Sequence, residues 1–448
     1  MERSGLSKRT WFNIILFGFV GQLAWNVENL YFNTFLFNKV GGTAEDINVM
    51  VAASAVTAML TTFIMGALSD RVGKRKIFIS VGYIVWGLTV ISFAFISREN
   101  TASLFHISDS ARIASATISI VIIMDCVMTF MGSTCNDAAY NAWITDITDT
   151  TNRGFVEGVS ALLPLFATVV IVVGFGAGVT AVGYSACFIA LGAVVMICGI
   201  TGLFTLKDPR GLKKQNRNYL SSLIYGFRPS VIKKNAMLYI ILTVLGISAT
   251  AFQVIMPYMF IYVQHYLGFD FAHLNITPPL IAAAIVIVIV AAAGAILFGK
   301  LIDKLGKDKF MIPGAVIYAL GLFIASFMHS IIGFIAAAAV FFIGWAFLGI
   351  MVNASVRDYT PKEETGLFQG VRIIFSVMLP MVIGPWIGTS VINRFAAYHE
   401  LGTYVNDYGE TVNAPVPEIF AAAAVVAVLS LIPLIIYKVK KKRDEVQS

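Results

Sequence analysis

The stretch Gly66–Lys76 (GALSDRVGKRK) decides the fold, because it recurs in weaker form 233 residues later. The second copy, Gly299–Lys309, reads GKLIDKLGKDK, and each copy lies between two long apolar stretches. A second pair of segments agrees, since Asn141-Ala142 matches Asn353-Ala354 at a distance of 212 residues. Such a repeat is typical of a membrane transporter built from two similar halves, with the binding site where the halves meet.

The composition is that of a membrane protein. Of the 448 residues, 58% are hydrophobic and 13% are charged, whereas a soluble protein carries roughly 25% charge. An apolar run of about 20 residues is long enough to cross a bilayer as a helix. We count twelve such runs: 11–37, 48–69, 77–97, 111–141, 154–177, 181–204, 236–265, 277–299, 310–329, 332–356, 367–392 and 417–437. The sequence therefore predicts an all-α membrane protein with twelve transmembrane helices in two pseudo-symmetric six-helix bundles.

Basic residues are distributed unequally between the two membrane sides. With the N-terminus placed in the cytoplasm, 27 of the 32 Lys and Arg residues fall on cytoplasmic segments and four lie near the outer face. This distribution predicts a multi-pass protein of the plasma membrane with both termini in the cytoplasm. The net charge of +7 needs no nucleic-acid partner, because basic clusters such as Lys440–Arg443 suit anionic lipid.

Three segments are expected from the position of the basic residues. They are an N-terminal bundle at 1–204, a cytoplasmic basic linker at 205–235, and a C-terminal bundle with a cytoplasmic tail at 236–448. No phosphate loop, nucleophile elbow or zinc motif is present in the sequence, and its four cysteines lack metal-ligand spacing. We therefore expect a monomeric transporter of a small molecule rather than an enzyme, with no cofactor or metal and with an ion gradient as its energy source.

The two repeated loops predict a gate. Gly66 allows close approach of helices, and Asp70 can accept hydrogen bonds from a neighbouring helix N-terminus. Arg71 would anchor the loop on lipid headgroups. The residues expected to take part in gating are Asp70, Arg71, Asp303, Arg153 and Arg372.

The motif Gly66-x-x-x-Asp70-Arg71-x-Gly73-Lys74-Arg75 resembles the signature loop of the major facilitator superfamily. Repeated halves, twelve runs and a basic middle loop fit that superfamily over the whole chain. The resemblance implies two six-helix bundles that rock about a central site to give alternating access.

The first apolar run carries a stripe of amides. Gln22, Asn26, Asn29 and Asn33 lie within about 40° of one helix face, and Trp25 flanks them. Amides beside an aromatic ring suit a polyhydroxylated ligand; the same stripe could instead join neighbouring helices. We take Gln22, Trp25, Asn26 and Asn29 as candidate substrate-binding residues.

Three intramembrane carboxylates are candidates for proton coupling, namely Glu28, Asp125 and Asp137. Asp125 and Asp137 are twelve residues apart on the fourth run, or about 18 Å along a helix, so they cannot serve one site together. Each of them could alternatively be the structural partner of a buried cation.

The fourth run also resembles a narrower family. Its segment 136–148 (NDAAYNAWITDIT) is similar to the corresponding helix and loop of the glycoside–pentoside–hexuronide:cation symporters, which include melibiose permease. The resemblance implies that Asp137 and Tyr140 bind a sugar, with Asn136 beside them.

The chain departs from that pattern at the sodium site. Sodium-using members carry two aspartates where this sequence has Ala58 and Thr62, which argues against sodium and for protons. Gln253 and Tyr258 of the seventh run, with a kink at Pro257, could complete the cavity. The sequence thus predicts proton-coupled uptake of a sugar or glycoside; the alternatives are a drug or lipid exporter on the same fold and an uncoupled sugar facilitator.

Overall fold

The structure, a computed structural model, describes residues 6–148, 153–208, 226–269, 307–361 and 365–447. The main helices in these ranges are α1 Lys8–Val27, α2 Ala44–Val72, α3 Arg75–Ser92, α4 Arg98–Phe105, α5 Ser110–Gly132, α6 Arg153–Val169, α7 Gly176–Thr205, α8 Pro229–Lys234, α9 Ala236–Ile255, α10 Met311–Ala325, α11 Ile331–Tyr359, α12 Thr365–Ile373, α13 Leu379–Phe395, α14 Glu418–Leu429 and α15 Leu431–Gln447. Strands β1 Thr403–Val405 and β2 Thr411–Asn413 pair antiparallel between α13 and α14.

Several helices continue through π-helical turns, in which hydrogen bonds skip one residue more than in an α-helix. These turns follow α1 at Glu28–Phe32 and Leu36–Val40, α5 at Ser133–Tyr140, α6 at Val170–Phe175, and α12 at Ile374–Met378; a further one lies beyond α9 at Tyr262–Tyr266. The α5 helix resumes at Asn141–Ile147. Such turns occur frequently at functional sites.

Eight described helices are long and apolar enough to cross a membrane, by length and composition. Twelve were predicted. The fifth and sixth predicted runs join in the single stretch Leu162–Thr205, where Gly183 adopts φ 82° and breaks the helix. The first run, 11–37, forms α1 and the helical turns after it and is not among the eight. The ninth run forms the shorter α10, and the eighth, 277–299, lies outside the described residues. The predicted all-helical fold class is confirmed.

Short polar residues start the helices that follow loops on the predicted outer side. Asp109 accepts a hydrogen bond from the backbone N–H of Arg112 at the start of α5, at 2.8 Å. Ser330 does the same for Gly333 at the start of α11, at 3.2 Å. These caps satisfy backbone donors that have no partner inside the helix.

The described residues divide into two compact units. Unit 1 comprises 6–42, 56–148 and 153–208, and unit 2 comprises 43–55, 226–269, 307–361 and 365–447. In unit 1, α3 and α7 touch backbone to backbone, since a Cβ atom on Gly87 would lie 2.5 Å from the carbonyl oxygen of Gly192. In unit 2 the tight crossing is between α10 and α11, where a Cβ on Gly321 would lie 2.5 Å from the backbone nitrogen of Phe341. Glycine allows such close approach of membrane helices.

Each unit also has a carboxylate brace at its predicted cytoplasmic end. In unit 1 the backbone N–H of Lys76 donates to Asp208 across 132 residues of chain, at 2.8 Å. In unit 2 the hydroxyl of Tyr437 donates to Asp308 at 2.7 Å, and Lys441 forms an ion pair with the same carboxylate. Both braces join the N-terminal end of one helix to the C-terminal end of another.

Candidate functional site

The interior of unit 1 contains two buried acidic side chains, one after α1 and one on α5. Glu28 begins the first π-helical turn of α1 and is 8% exposed, and Asp125 on α5 is 2% exposed. The hydroxyl of Thr129, one turn after Asp125, donates to Glu28 Oε1 at 2.9 Å. Carboxyl groups are costly to bury in a membrane protein and are retained there for function. The structure thus links Glu28 to the helix that carries Asp125, one turn from that residue.

Asp137 lies further along the same helix, in the π-helical turn Ser133–Tyr140. Its Oδ2 accepts a hydrogen bond of 3.0 Å from the hydroxyl of Ser133, which is fully buried. Asp137 itself is half-buried. It is therefore a second carboxylate position, separate from that of Glu28 and Asp125.

Asn136 and Tyr140, predicted to bind substrate, are engaged inside unit 1. The Asn136 amide donates to the hydroxyl of Tyr83 at 2.7 Å and accepts from the indole of Trp25 at 3.3 Å. The hydroxyl of Tyr140 donates to the carbonyl of Ile14 at 2.6 Å. Both side chains are at most 4% exposed, so in this structure they join helices rather than line a surface.

Trp25 is held by the same group of residues. Its ring packs 5.1 Å from that of Trp86, and a Cβ atom on Gly132 would lie 2.9 Å from either indole. The Trp25 ring fits here because Gly132 has no side chain. Trp25 is half-buried, so part of it remains available.

The amide stripe of α1 bonds mainly to the helix backbone. Asn26 donates to the carbonyl of Gln22 at 2.7 Å and accepts from Thr168 of α6 at 2.8 Å. Asn29 donates to the carbonyl of Trp25 at 2.7 Å and is exposed. The alternative interpretation of the stripe, as a joint between helices, applies to Asn26, while Gln22 is half-buried.

Unit 2 contains the predicted residues Gln253 and Tyr258. Tyr258 is fully buried, with its hydroxyl 2.7 Å from that of Thr389, so it is a packing residue of unit 2 in this structure. Gln253 is half-buried. Its neighbour Phe252 stacks on Trp345 with ring centroids 4.6 Å apart and planes 16° apart, and Trp345 is 38% exposed. At this place α9 and α11 together present an aromatic surface.

The predicted gating residues have different surroundings from those expected. Asp70 accepts an ion-pair hydrogen bond from Arg75, which also bonds Asp146 at 3.0 Å, while Arg71 is exposed. Arg372 donates to the side-chain amide oxygen of Asn353 at 2.8 Å. Asp303 lies outside the described residues. Arg153 begins α6, but its side chain is also outside the description.

Sequence reasoning missed the hydroxyl partners Thr129, Ser133 and Thr168. The first two could have been found, because Asp125, Thr129, Ser133 and Asp137 follow one another at intervals of four residues. Thr168 had no such signal, since its partner is on another helix.

Comparison with known proteins settles the family. The model described as Major Facilitator Superfamily matches residues 14–385 and 272–448. The chain belongs to the major facilitator superfamily. It is a multi-pass transporter fold, as the repeated loops predicted.

Individual relatives within the superfamily are distant. The chain is 24% identical to Multidrug resistance protein 2 of Bacillus subtilis (strain 168) over 358 residues, covering 77% of this chain and 80% of the relative. Among solved structures it is similar to a bacterial homologue of the human lysosomal transporter Spinster, with a TM-score of 0.67, 14% identity and 98% of each chain covered. It is also similar to a mutant of the nucleoside transporter NupG, with a TM-score of 0.66, 12% identity, and coverage of 95% and 99%. The two structures support the fold alone, and none of the three supports the narrower resemblance to melibiose permease.

Proposed function

We propose that this superfamily member is a proton-coupled transporter in which Glu28, together with Asp125, carries the proton. The observation behind the proposal is the hydrogen bond from Thr129 to Glu28, with Asp125 one turn away in the buried interior of unit 1. Moving a carboxylate out of water favours its neutral, protonated form. Thr129 accommodates both forms, because a hydroxyl donates to a carboxylate and accepts from a carboxylic acid.

Protons suit the chain better than sodium. The position that holds an aspartate in sodium-using symporters is Thr62 here, and its hydroxyl donates to the carbonyl of Ala58 at 2.8 Å. Sodium needs several oxygen ligands, whereas a proton needs a single carboxylate.

For the substrate, we propose an amphiphilic organic compound with an aromatic ring, moved outward in exchange for protons. Three of the polar groups that a sugar would use, on Asn26, Asn136 and Tyr140, already bond within unit 1. Trp25 in unit 1 and the Phe252–Trp345 stack in unit 2 offer aromatic faces, which suit such compounds. The similarity to Multidrug resistance protein 2 points the same way.

Proton-driven sugar uptake is the second candidate. It is favoured by the half-buried Asp137 carboxylate, bonded to Ser133, in the segment that resembles the glycoside–pentoside–hexuronide symporters. In that reading Asp137 and Gln22 would bind the sugar hydroxyls.

The test uses the purified full chain in liposomes, with a pH gradient imposed and sodium absent. Ethidium represents the amphiphile, and a labelled disaccharide panel represents sugars. We expect ethidium to move against its gradient as protons run the other way, and the Glu28→Gln variant to lose this movement. Gradient-driven transport that survives Glu28→Gln would overturn the proton assignment, and accumulation of a disaccharide instead of ethidium would replace the first substrate class by the second.

Glu99→Gln is the matched control. Glu99 is an exposed carboxylate on α4, and hydrogen bonds from its own backbone N–H and from Ser97 hold its pKa below the ordinary value. It therefore stays ionised near neutral pH and should not affect coupling.

A further inference from the structure

A row of four polar side chains runs along α5 and the π-helical turn that follows it. Its members stand four residues apart: Asp125, Thr129, Ser133 and Asp137. The first three are each at most 2% exposed, so the row is an internal feature of unit 1 and not a solvated face. We call it the α5 row.

The π-helical turn aligns the far end of the row. In an uninterrupted α-helix, residues twelve apart are turned by about 120° from each other, at 100° per residue. From Ser133 onward the π-helical turn holds about one more residue per turn, which rotates the next side chains back. The 3.0 Å bond between Ser133 and Asp137 shows that these two side chains meet on one side of the helix.

We propose that the α5 row is a proton path, with Glu28 and Asp125 at one end, Asp137 as the exchange group at the other, and Ser133 as the relay beside it. The inference rests on the proposed proton coupling. In the transfer an O–H bond breaks at the Glu28 carboxyl and an O–H bond forms at the Asp137 carboxylate, so the charge passes between them with no other reactant. The half-buried Asp137 then exchanges this proton with water.

The hydroxyls are suited to this transfer. Thr129 bonds Glu28 at one end, and Ser133 bonds Asp137 at the other. A hydroxyl can accept one proton while it releases another. Thr129 and Ser133 are about 6 Å apart along the helix, a gap that one water molecule with two hydrogen bonds of about 2.8 Å spans.

Other proton-bearing groups near the row are held in separate bonds. The thiol of Cys135 on the same helix donates to the carbonyl of Gly132 at 3.6 Å. Tyr83 of α3 donates to the carbonyl of Phe17 at 2.6 Å. The donors of Cys135 and Tyr83 are thus already engaged with backbone carbonyls.

The experiment separates proton movement from substrate movement. Liposomes containing the full chain are assayed for ethidium flux driven by a pH gradient and for exchange of ethidium against ethidium at equal pH. Exchange needs no net proton transfer. We expect Ser133→Ala and Asp137→Asn to lower the driven flux by about tenfold or more. Both variants should keep the exchange rate within about twofold of that of the unaltered protein. Ser133→Thr should restore the driven flux.

Thr134→Val is the control for Ser133→Ala. Thr134 is the next residue, with its hydroxyl bonded to the carbonyl of Phe130 at 2.7 Å, off the row. It should change neither rate. An equal loss of driven flux and exchange in Ser133→Ala or Asp137→Asn would overturn the path and make the residue a structural or substrate-binding one.

The failure of the path and the failure of proton coupling are distinguishable. If Glu28→Gln removes the driven flux while Ser133→Ala and Asp137→Asn keep it, the path is wrong and the coupling stands. If Glu28→Gln keeps the driven flux, the assignment of the proton to Glu28 is wrong, and the path falls with it.

Discussion

Helix α5 of unit 1 and helix α11 of unit 2 are equivalent in the repeat, since residues 212 apart match. Their side chains nevertheless differ in polarity at equivalent positions. At the positions of Asp125, Thr129, Ser133 and Asp137, α11 has Ala337, Phe341, Trp345 and Gly349. The helices also differ in shape, because α5 changes into a π-helical turn at Ser133 whereas α11 is α-helical from Ile331 to Tyr359.

The difference shows how a duplicated scaffold divides its tasks. The backbone of Phe341 lies against Gly321 at the α10–α11 crossing, whereas its counterpart Thr129 bonds a carboxylate. Trp345, the counterpart of Ser133, stacks on Phe252. At these positions α5 thus has carboxyl and hydroxyl side chains, whereas α11 packs against a neighbouring helix and presents an aromatic surface.

The largest expected effect comes from making α5 more like α11 at one position. Thr129→Val keeps the shape of the side chain and removes the hydroxyl that Glu28 accepts from. A hydrogen bond to a charged group contributes about 1.5 to 3 kcal/mol, so gradient-driven transport should fall about tenfold to a hundredfold. The measurement is the initial rate of driven flux in liposomes, and an unchanged rate would remove Thr129 from the coupling centre.

A smaller effect is expected from two glycines of α11. Gly344→Ala places a methyl group against the backbone of Tyr318, and overpacking of this kind costs about 1 to 3 kcal/mol. Gly349→Ala meets nothing within 4 Å, and alanine is favoured over glycine within a helix by about 0.5 to 1 kcal/mol. Thermal unfolding in detergent should therefore shift down for Gly344→Ala and up or not at all for Gly349→Ala. Equal shifts of the unfolding temperature in the two variants would show that α11 does not depend on close packing at Gly344.

The smallest effect concerns the aromatic surface of α11. Trp345→Ala removes the stack on Phe252, and aromatic pairs contribute about 0.5 to 1.5 kcal/mol beyond their area. We expect the half-saturating concentration of ethidium to rise a few-fold while the pH dependence of transport stays the same. Phe327→Ala, an exposed ring elsewhere in unit 2, is the control; equal changes in both variants would assign Trp345 to lipid contact.

The fold was largely predictable because its signals are local. Long apolar runs, glycines and repeated charged loops each act over a few residues, and the bilayer excludes every form but the helix for such runs. The joined stretch Leu162–Thr205 was less predictable, because the break at Gly183 depends on backbone angles that many glycines in the sequence could adopt.

The site was only partly predictable, because an amide or a hydroxyl can serve a ligand or its own protein equally well. Asn136 and Tyr140 have the chemistry to bind a sugar, and only the positions of Tyr83 and Ile14 show that they bond inside unit 1. The π-helical turn that aligns Asp137 with Ser133 has no sequence signature. Carboxylates are conspicuous in an apolar run because burying them is costly, so their positions could be identified from the sequence.

The two carboxylate braces set an order of events during synthesis. Their bonds join residues 129 to 133 positions apart, so neither brace can form until the second partner has been made. In unit 1 the late partner is the carboxylate Asp208, which arrives when the N–H of Lys76 is already in place. In unit 2 the carboxylate Asp308 is made first and must wait for Tyr437 and Lys441, so a chain released before Tyr437 would have one braced unit and one that is not.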